Sequence, residues 1–378
     1  MNRLFIPLII LFASTGCFSL RAAELNSFKI GLVAPTSGRY SSEGYRMVCA
    51  AKKAIHEWNS GDRLKGGYYA ELVTYDETED ADHPEMLLLD PQVIGVVGYS
   101  RASKAAEAMK LFGPARMPLI VAGVRDTPAN PAGGSVFWMA PHNAKFLEAT
   151  VRFIKEHLGS RTASVVAGPD LADLSQAEII RQKIEAEGIS LVRSEAALPY
   201  SSDYSGLASR LLQSPSDVVV IAGDPLSSGE FWASYSGGSK SKVASTILTP
   251  DFVSVAKDKA ADTYYPSPVP AFDHSEAASN FKSEFTAGCR DLPTPLSALV
   301  YDSVNLMLRS ISMTLDDGLP LEREDLAKRI SSAREYTGVT GPVSFDRSGQ
   351  RLVASIYFYK LAGDYPGHLA TSYTIDGN

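Results

Sequence analysis

The chain has few cysteines, few histidines and no familiar catalytic signature. Its 378 residues include three cysteines and six histidines, the latter at positions 56, 83, 142, 157, 274 and 368. It contains no Cys-x-x-Cys pair and no histidine pair with metal-ligand spacing, so thiol redox chemistry and zinc sites have no support. Gly-x-Ser-x-Gly, Walker A and Gly-x-Gly-x-x-Gly motifs are also absent. The sequence therefore predicts a protein that is not an enzyme and needs no cofactor or metal.

Clusters of basic residues and long apolar runs are missing as well. The formal net charge is −7, and no basic run is present, which argues against nucleic acid as a partner because phosphate binding needs clustered Lys and Arg. The apolar run at residues 4–13 is too short for a membrane span, which needs about 20 residues. Arg3 before it and small residues after it are typical of a signal peptide, which we predict over residues 1–23. The expected location is periplasmic.

The cysteines leave two questions open. Ser14, Thr15, Gly16 and Cys17 resemble a bacterial lipobox, in which Cys17 would carry a membrane-anchoring lipid, but Ser14 stands where Leu is usual. Ordinary cleavage between residues 19 and 23 is the alternative. Cys49 and Cys289 could pair in an oxidising compartment. The position of Cys49 on the apolar side of a predicted helix favours a buried free thiol instead.

From about residue 28 onward, short apolar runs alternate with helical patterns. The predicted strands are residues 28–34, 68–75, 93–97, 118–122, 163–167, 190–198, 217–222, 243–248, 351–361 and 370–375. Helices are predicted to begin near Ser42, Asn143, Asp203 and Thr294. A Pro/Gly-rich stretch at residues 127–134 separates two such series. This pattern predicts an α/β protein with two doubly wound, mainly parallel sheets, one in each lobe.

Polar residues follow the first-lobe strands, at the sheet edge where ligands bind in such folds. Ser100, Arg101 and Ser103 follow strand 93–97 and precede a helix, whose N-terminal N–H groups favour a carboxylate. Simple helix capping by Ser100 is the alternative. Arg101 and Arg125 could grip a carboxylate with two hydrogen bonds, or form ordinary ion pairs.

Acidic residues follow two strands of the second series. Asp224 follows strand 217–222 and Asp251 follows strand 243–248, where a ligand ammonium would need a partner. An Asx-turn or a helix cap is the alternative for each. Glu43 stands near the start of the first helix, where it either faces a ligand or balances the helix dipole.

Several segments occur in an order that is typical of one family. They are FKIGLVAPTSGRYSSEG (28–44), AELVTYDE (70–77), VIGVVGYSRAS (93–103), RMPLIVAG (116–123), TPDF (249–252) and TGPVSFDRSGQRLVASIYFYKL (340–361). In this order they resemble the type I periplasmic binding proteins, specifically the leucine/isoleucine/valine-binding family that serves ABC importers. The resemblance covers about residues 27–361.

The resemblance implies two lobes joined by three crossovers, with a ligand held between them. The first lobe would comprise residues 24–142 and 273–345, and the second residues 143–272 and 346–378. By the same resemblance, the Ser100–Ser103 loop and the Val124–Thr127 loop would hold the ligand's carboxylate. Asp251 would hold its ammonium group.

Some positions depart from the family pattern and make the predicted pocket more polar. Arg101, Ala102 and Lys104 interrupt the usual Ser/Thr cluster, and Asp224 stands where the family has a Tyr. We therefore expect an amino acid or related polar solute, with an amide or a small carboxylate as alternatives. The expected partners are that solute and ABC permease subunits in the membrane. The other role considered is a sensory one, in which the ligand-bound state is presented to a membrane receptor or kinase.

Overall fold

The computed structural model describes residues 26–61, 63–78, 83–124, 134–199, 202–333 and 336–376. The predicted signal peptide with Cys17, and the predicted site residues Arg125 and Thr127, lie outside these ranges. Among the described residues, no helix combines the length and apolar character that a membrane span needs.

Fourteen strands are described, and they form two main sheets and a short two-stranded ribbon. The strands are β1 (Asn26–Ala34), β2 (Tyr68–Asp76), β3 (Val93–Gly98), β4 (Leu119–Val121), β5 (Val136–Trp138), β6 (Thr162–Ala167), β7 (Ser190–Ala196), β8 (Val218–Ala222), β9 (Ser241–Ala244), β10 (Thr263–Ser267), β11 (Tyr336–Gly338), β12 (Gly341–Val343), β13 (Val353–Lys360) and β14 (His368–Asp376). The first sheet has the order β2-β1-β3-β4-β5 and is parallel throughout. The second has the order β14-β13-β10-β9-β8-β6-β7.

The helices cover both faces of these two sheets. They are α1 (Ser41–Ser60), α2 (His83–Leu89), α3 (Ala102–Phe112), α4 (Asn143–Arg152), α5 (Leu171–Ala186), α6 (Ser205–Leu212), α7 (Pro225–Ser234), α8 (Pro250–Ala256), α9 (Glu276–Cys289), α10 (Pro295–Asp316) and α11 (Arg323–Ser331). The predicted start at Thr294 is confirmed: Thr294 caps α10 with Pro295 at the first helical position. Two predicted caps were one residue off, since His142 caps α4 and Tyr204 stands at the cap of α6.

Each sheet is buried on both faces, which is why its central strands are continuously apolar. α1, α9 and α10 pack on one face of the first sheet, and α2 and α3 on the other. α4 and α5 cover one face of the second sheet, while α6, α7 and α8 cover the opposite face. The prediction of an α/β protein with two lobes is confirmed. The second sheet differs in one respect, because β13 and β14 run antiparallel at its edge.

The chain passes between the two cores three times, after β5, after β10 and after β12. Arg351 joins the first and third passages. Its guanidinium is buried and donates hydrogen bonds to the carbonyl oxygens of Met139 (3.4 Å), Thr340 (3.0 Å) and Pro342 (2.7 Å). The exact residues at which one lobe ends and the other begins remain predictions.

Cys49 and Cys289 form a disulfide, which corrects the expectation of a buried free thiol. The bond joins α1 to the last residue of α9, across a sequence separation of 240 residues, with the two Cα atoms 6.1 Å apart. The apolar side of α1 does face the protein interior, as predicted. What the local pattern could not reveal is that α9, far away in the sequence, packs against the same face.

Candidate functional site

The first-lobe loop predicted to bind a carboxylate already holds one, which comes from the protein itself. Glu77 follows β2, and its side chain accepts hydrogen bonds from the backbone N–H groups of Ser100 (2.9 Å) and Arg101 (2.6 Å) and from the Ser100 hydroxyl (2.7 Å). Tyr99 turns the chain here with a φ of 59°, which directs both N–H groups towards Glu77. The carboxylate of Glu77 therefore accepts the hydrogen bonds that the N-terminus of α3 could otherwise donate to a ligand.

Glu77 is fully buried, and this fixes the character of the loop. Burial raises the pKa of its carboxyl group, while the hydrogen bonds from Ser100 and Arg101 act in the opposite direction. Ser100 does not cap α3, because its hydroxyl donates to Glu77 and Arg101 stands at the cap position. Ser103 is exposed on the first turn of α3. Val124 is buried against Tyr99 and other apolar side chains of the first core.

A second set of predicted residues gathers around Arg46, which the sequence analysis did not single out. The Arg46 side chain is only 4% exposed. It donates two hydrogen bonds to Asp251, at 2.7 and 3.3 Å, and pairs with Asp291 at 2.8 Å and with Glu43 at 3.2 Å. Thr294 donates a short hydrogen bond to Glu43. Burial alone would lower the pKa of Arg46, but its carboxylate partners raise it above the usual value.

The carboxylate of Asp251 is therefore already paired with a side chain of the protein. Asp251 lies on α8 of the second lobe, whereas Arg46 lies on α1 of the first, so their contact bridges the two lobes. A ligand ammonium that binds Asp251 would have to displace a buried guanidinium. Glu43 likewise faces Arg46 rather than open solvent.

The third part of the site lies at the edge of the second sheet. β6 and β8 pair in parallel with Ala167 opposite Ala222, so both strands end at the same place. A β-carbon at Gly168 would lie 2.3 Å from a carboxylate oxygen of Asp173 and 3.2 Å from the Cα atom of Gly223, so only glycine fits here. The glycines thus allow two loops and two helix starts to meet here.

Three aspartates converge at this edge, and we call Asp170, Asp173 and Asp224 the Asp cluster. Their nearest carboxylate oxygens all lie within 4.8 Å of one another. Asp170 and Asp173 form a capping box at the start of α5. Asp224 caps α7, accepting hydrogen bonds from the N–H groups of Leu226 (2.8 Å) and Ser227 (3.1 Å). Asp224 is thus a helix cap, which was one of its two predicted roles. A helix cap of this kind can still contact a ligand through its remaining lone pairs.

Within the Asp cluster, the pKa of Asp173 is strongly raised. Burial, followed by the charge of Asp224, raises the pKa of Asp173 to about 7. Nearby, Tyr204 is 1% exposed, and its hydroxyl has no hydrogen-bond partner within the described part of the chain. Burial raises the pKa of Tyr204 to about 12, and the neighbouring Ser227 hydroxyl opposes that shift.

First-lobe residues face the Asp cluster across the cleft. Arg39 reaches α7, where its guanidinium lies 3.1 Å from Glu230 and 3.4 Å from the Ser227 hydroxyl. Burial raises the pKa of the neighbouring Tyr40, and the charges of Asp224 and the other two cluster members raise it further. The Arg101 guanidinium lies over the Tyr40 ring, 5.8 Å from its centroid. The cleft is therefore bounded by an aromatic ring and arginines on one side and by carboxylates on the other.

The predicted residues thus fall into separate places. Ser100 and Arg101 surround Glu77, Glu43 and Asp251 surround Arg46, and Asp224 belongs to the Asp cluster. Sequence reasoning missed Glu77, Arg46 and Asp173. Glu77 follows β2 and Asp173 lies on the first turn of a helix after a buried strand, so the rule that led to Asp224 could also have found them. Arg46 gave no such signal, because it lies on the buried face of α1.

Comparisons with known proteins agree with this architecture. The chain is 21% identical over 364 residues to the Leu/Ile/Val-binding protein BraC3 of Rhizobium johnstonii, covering 88% of this chain and 90% of that protein. The fold matches the branched-chain amino acid transporter substrate-binding protein LivJ of Streptococcus pneumoniae, solved with isoleucine, with a TM-score of 0.81 at 19% identity, over 93% of this chain and 100% of the other. It also matches an R. palustris ABC transporter solute-binding protein in complex with 4-hydroxybenzoate, with a TM-score of 0.76 at 18% identity, over 93% and 98% of the two chains.

Two parallel-sheet lobes with polar groups at facing strand ends define a two-lobed solute-binding protein. The periplasmic binding protein family model matches residues 27–366. The chain belongs to this family, and the resemblance drawn from its motifs is confirmed. The family comprises non-enzymatic solute-binding proteins, which agrees with the expectation that the chain is not an enzyme. Membership implies an extracytoplasmic location.

Proposed function

We propose that the protein is the solute-binding component of an ABC importer, which captures a small polar molecule between its lobes and delivers it to membrane permease subunits. The observation that carries the proposal is the cleft itself. Polar side chains of both lobes meet there, and Arg39 and Arg46 of the first lobe already contact Glu230 and Asp251 of the second. Lobes that make such contacts can close over a ligand.

The relatives support a transport role but differ in what they bind. LivJ holds isoleucine and the R. palustris protein holds 4-hydroxybenzoate, so the same fold accepts an amino acid and an aromatic carboxylate. The polar lining of this cleft favours a solute that is more polar than a branched-chain amino acid. Amino acids, amides, small carboxylates and amines therefore all belong in a first screen.

The test is a ligand screen by thermal shift, followed by calorimetry and small-angle X-ray scattering on the mature protein. A solute that binds only the folded state stabilises it by about 2.7 kcal/mol at a hundredfold excess over its Kd. We expect at least one class to bind with 1:1 stoichiometry and to reduce the radius of gyration. A protein that binds none of these classes, or that turns a substrate over, would contradict the proposal. Co-purification with permease subunits rather than a receptor kinase would separate transport from sensing.

A further inference from the structure

We propose that the Asp cluster, together with Tyr204, binds the cationic group of the solute, and that this solute is a small organic amine of net positive charge. The inference rests on the proposed function and specifies its ligand class. It follows from which polar groups in the cleft are already paired and which are not.

The groups that would hold a ligand carboxylate are engaged within the protein. The N–H groups of Ser100 and Arg101 and the Ser100 hydroxyl all donate to Glu77. Glu77 is fully buried, so a ligand carboxylate cannot approach these donors without expelling it. Two carboxylates in one such place repel each other, and this disfavours an acidic ligand.

The carboxylate of Asp251 is engaged in the same way. It accepts two hydrogen bonds from the nearly buried guanidinium of Arg46. Arg46 is held in turn by Asp291 and Glu43 within its own lobe. A buried, multiply bonded guanidinium is costly to displace because its charge would be left uncompensated.

The Asp cluster, in contrast, carries an excess of negative charge. No Lys, Arg or His of the described residues makes a salt bridge with Asp170, Asp173 or Asp224. The N-termini of α5 and α7 supply only about half a positive charge each. Arg39, on which the charge of Asp224 acts, pairs with Glu230 instead. Burial, and after it the charge of Asp224, raises the pKa of Asp173, and a ligand cation beside these carboxylates would act in the opposite direction.

Tyr204 supplies an independent indication of a ligand. Its hydroxyl is buried and has no hydrogen-bond partner among the residues that the structure describes, and an unsatisfied buried hydroxyl is destabilising. The Ser227 hydroxyl, which donates to Asp224, and the charges of Asp224 and Asp173 all act on the pKa of Tyr204, so this residue lies close to the Asp cluster.

The geometry favours an organic cation over a metal ion. Calcium takes six to eight oxygen ligands, and magnesium demands an octahedral set. Here Asp224 already accepts three hydrogen bonds, from Leu226, Ser227 N–H and the Ser227 hydroxyl. An ammonium group needs only one free lone pair from each partner, which these carboxylates and the Tyr204 hydroxyl retain.

The experiment is calorimetry of the mature protein with putrescine and agmatine, which are dications without a carboxylate. Leucine, benzoate, CaCl2 and MgCl2 serve as the other probes. We expect putrescine or agmatine to bind more tightly than leucine and benzoate. Asp224→Asn retains the helix cap while removing the charge, and should weaken amine binding by at least about tenfold. Asp258→Asn removes the same charge from an exposed site on the second lobe and should leave binding unchanged.

Tyr204→Phe separates a ligand role from a structural one. Loss of the hydroxyl should weaken amine binding several-fold without lowering the stability of the free protein, because no hydrogen bond within the described residues is lost. If leucine or benzoate binds in preference to the amines, and Asp224→Asn has no effect, the inference is overturned while the proposed function stands. Binding of calcium or magnesium alone would also overturn it. If none of these probes binds, the inference fails, and the wider screen of amino acids, amides and small carboxylates then decides the proposed function.

Discussion

At the scale of single residues, the cleft is organised by charges that are paired internally. Glu77 takes the place that a ligand carboxylate would occupy at α3, and Arg46 takes the place that a ligand ammonium would occupy at Asp251. Both side chains are nearly or fully buried. Recognition is therefore left to the groups whose charge is not compensated, and these lie in the second lobe.

Glu77 can be tested by chemical rescue. Glu77→Ala leaves the N–H groups of Ser100 and Arg101 buried without an acceptor, so we expect the free energy of unfolding to fall by about 2–4 kcal/mol. Added formate or acetate should recover part of this loss by entering the vacated place at the start of α3. Thermal unfolding with increasing formate measures the recovery. Equal stabilisation of the wild-type protein would contradict it.

The raised pKa of Asp173 predicts that the stability of the ligand-free protein depends on pH in an unusual way. Its pKa of about 7 in the folded state exceeds the unfolded value of about 3.9, so the folded state binds more protons between these limits. Stability from this group is therefore greatest below pH 4 and is lost as the pH rises to 7. Asp173→Asn removes the titration and keeps the shape of the side chain.

We expect the stability of Asp173→Asn relative to wild type to increase by about 1–3 kcal/mol between pH 5 and pH 8. Burial raises the pKa values of Tyr40 and Tyr204, so both stay neutral over this range. Urea unfolding at several pH values measures the difference. A constant difference across the range would refute the pKa assignment, and Asp258→Asn should show no such trend.

At the scale of elements, sequence periodicity predicted most strands and the long helices, because burial on one or both faces leaves a direct pattern. It overlooked the strands β5, β10, β11 and β12 and the helices α2, α7, α8, α9 and α11, most of which are short. The same limit explains the site. Asp224 could be predicted because a strand end places it, whereas the Arg46–Asp251 pair depends on how α1 and α8 meet in space, which no local pattern encodes.

The disulfide between α1 and α9 is the covalent counterpart of this long-range packing. Replacing Cys49 and Cys289 together by Ala should lower the free energy of unfolding by about 2–4 kcal/mol, because the bond closes a very long loop in the unfolded chain. Denaturant unfolding of the two proteins measures the loss. Dithiothreitol should reproduce it in the wild type and have no effect on the double variant, whereas equal sensitivity of both proteins would mean that the bond does not form.

At the scale of the whole molecule, the contact between Arg46 and Asp251 links the two lobes directly. Asp251→Asn weakens this bridge but leaves Arg46 its partners Asp291 and Glu43, so the first lobe should fold normally. A charge-assisted hydrogen bond is worth about 1.5–3 kcal/mol, which would shift an open–closed equilibrium by about tenfold or more towards the open form. Small-angle scattering of the ligand-free protein should then give a larger radius of gyration.

Asp291→Asn is the matched control, because it removes another carboxylate from Arg46 but within the first lobe. It should lower stability without separating the lobes. If both variants leave the radius of gyration unchanged, the bridge does not govern closure. If only Asp251→Asn opens the molecule, and a bound solute closes it again, then Arg46 holds the lobes near their closed arrangement while the Asp cluster selects what they close upon. Affinity and closure would then be set by different residues of the same cleft.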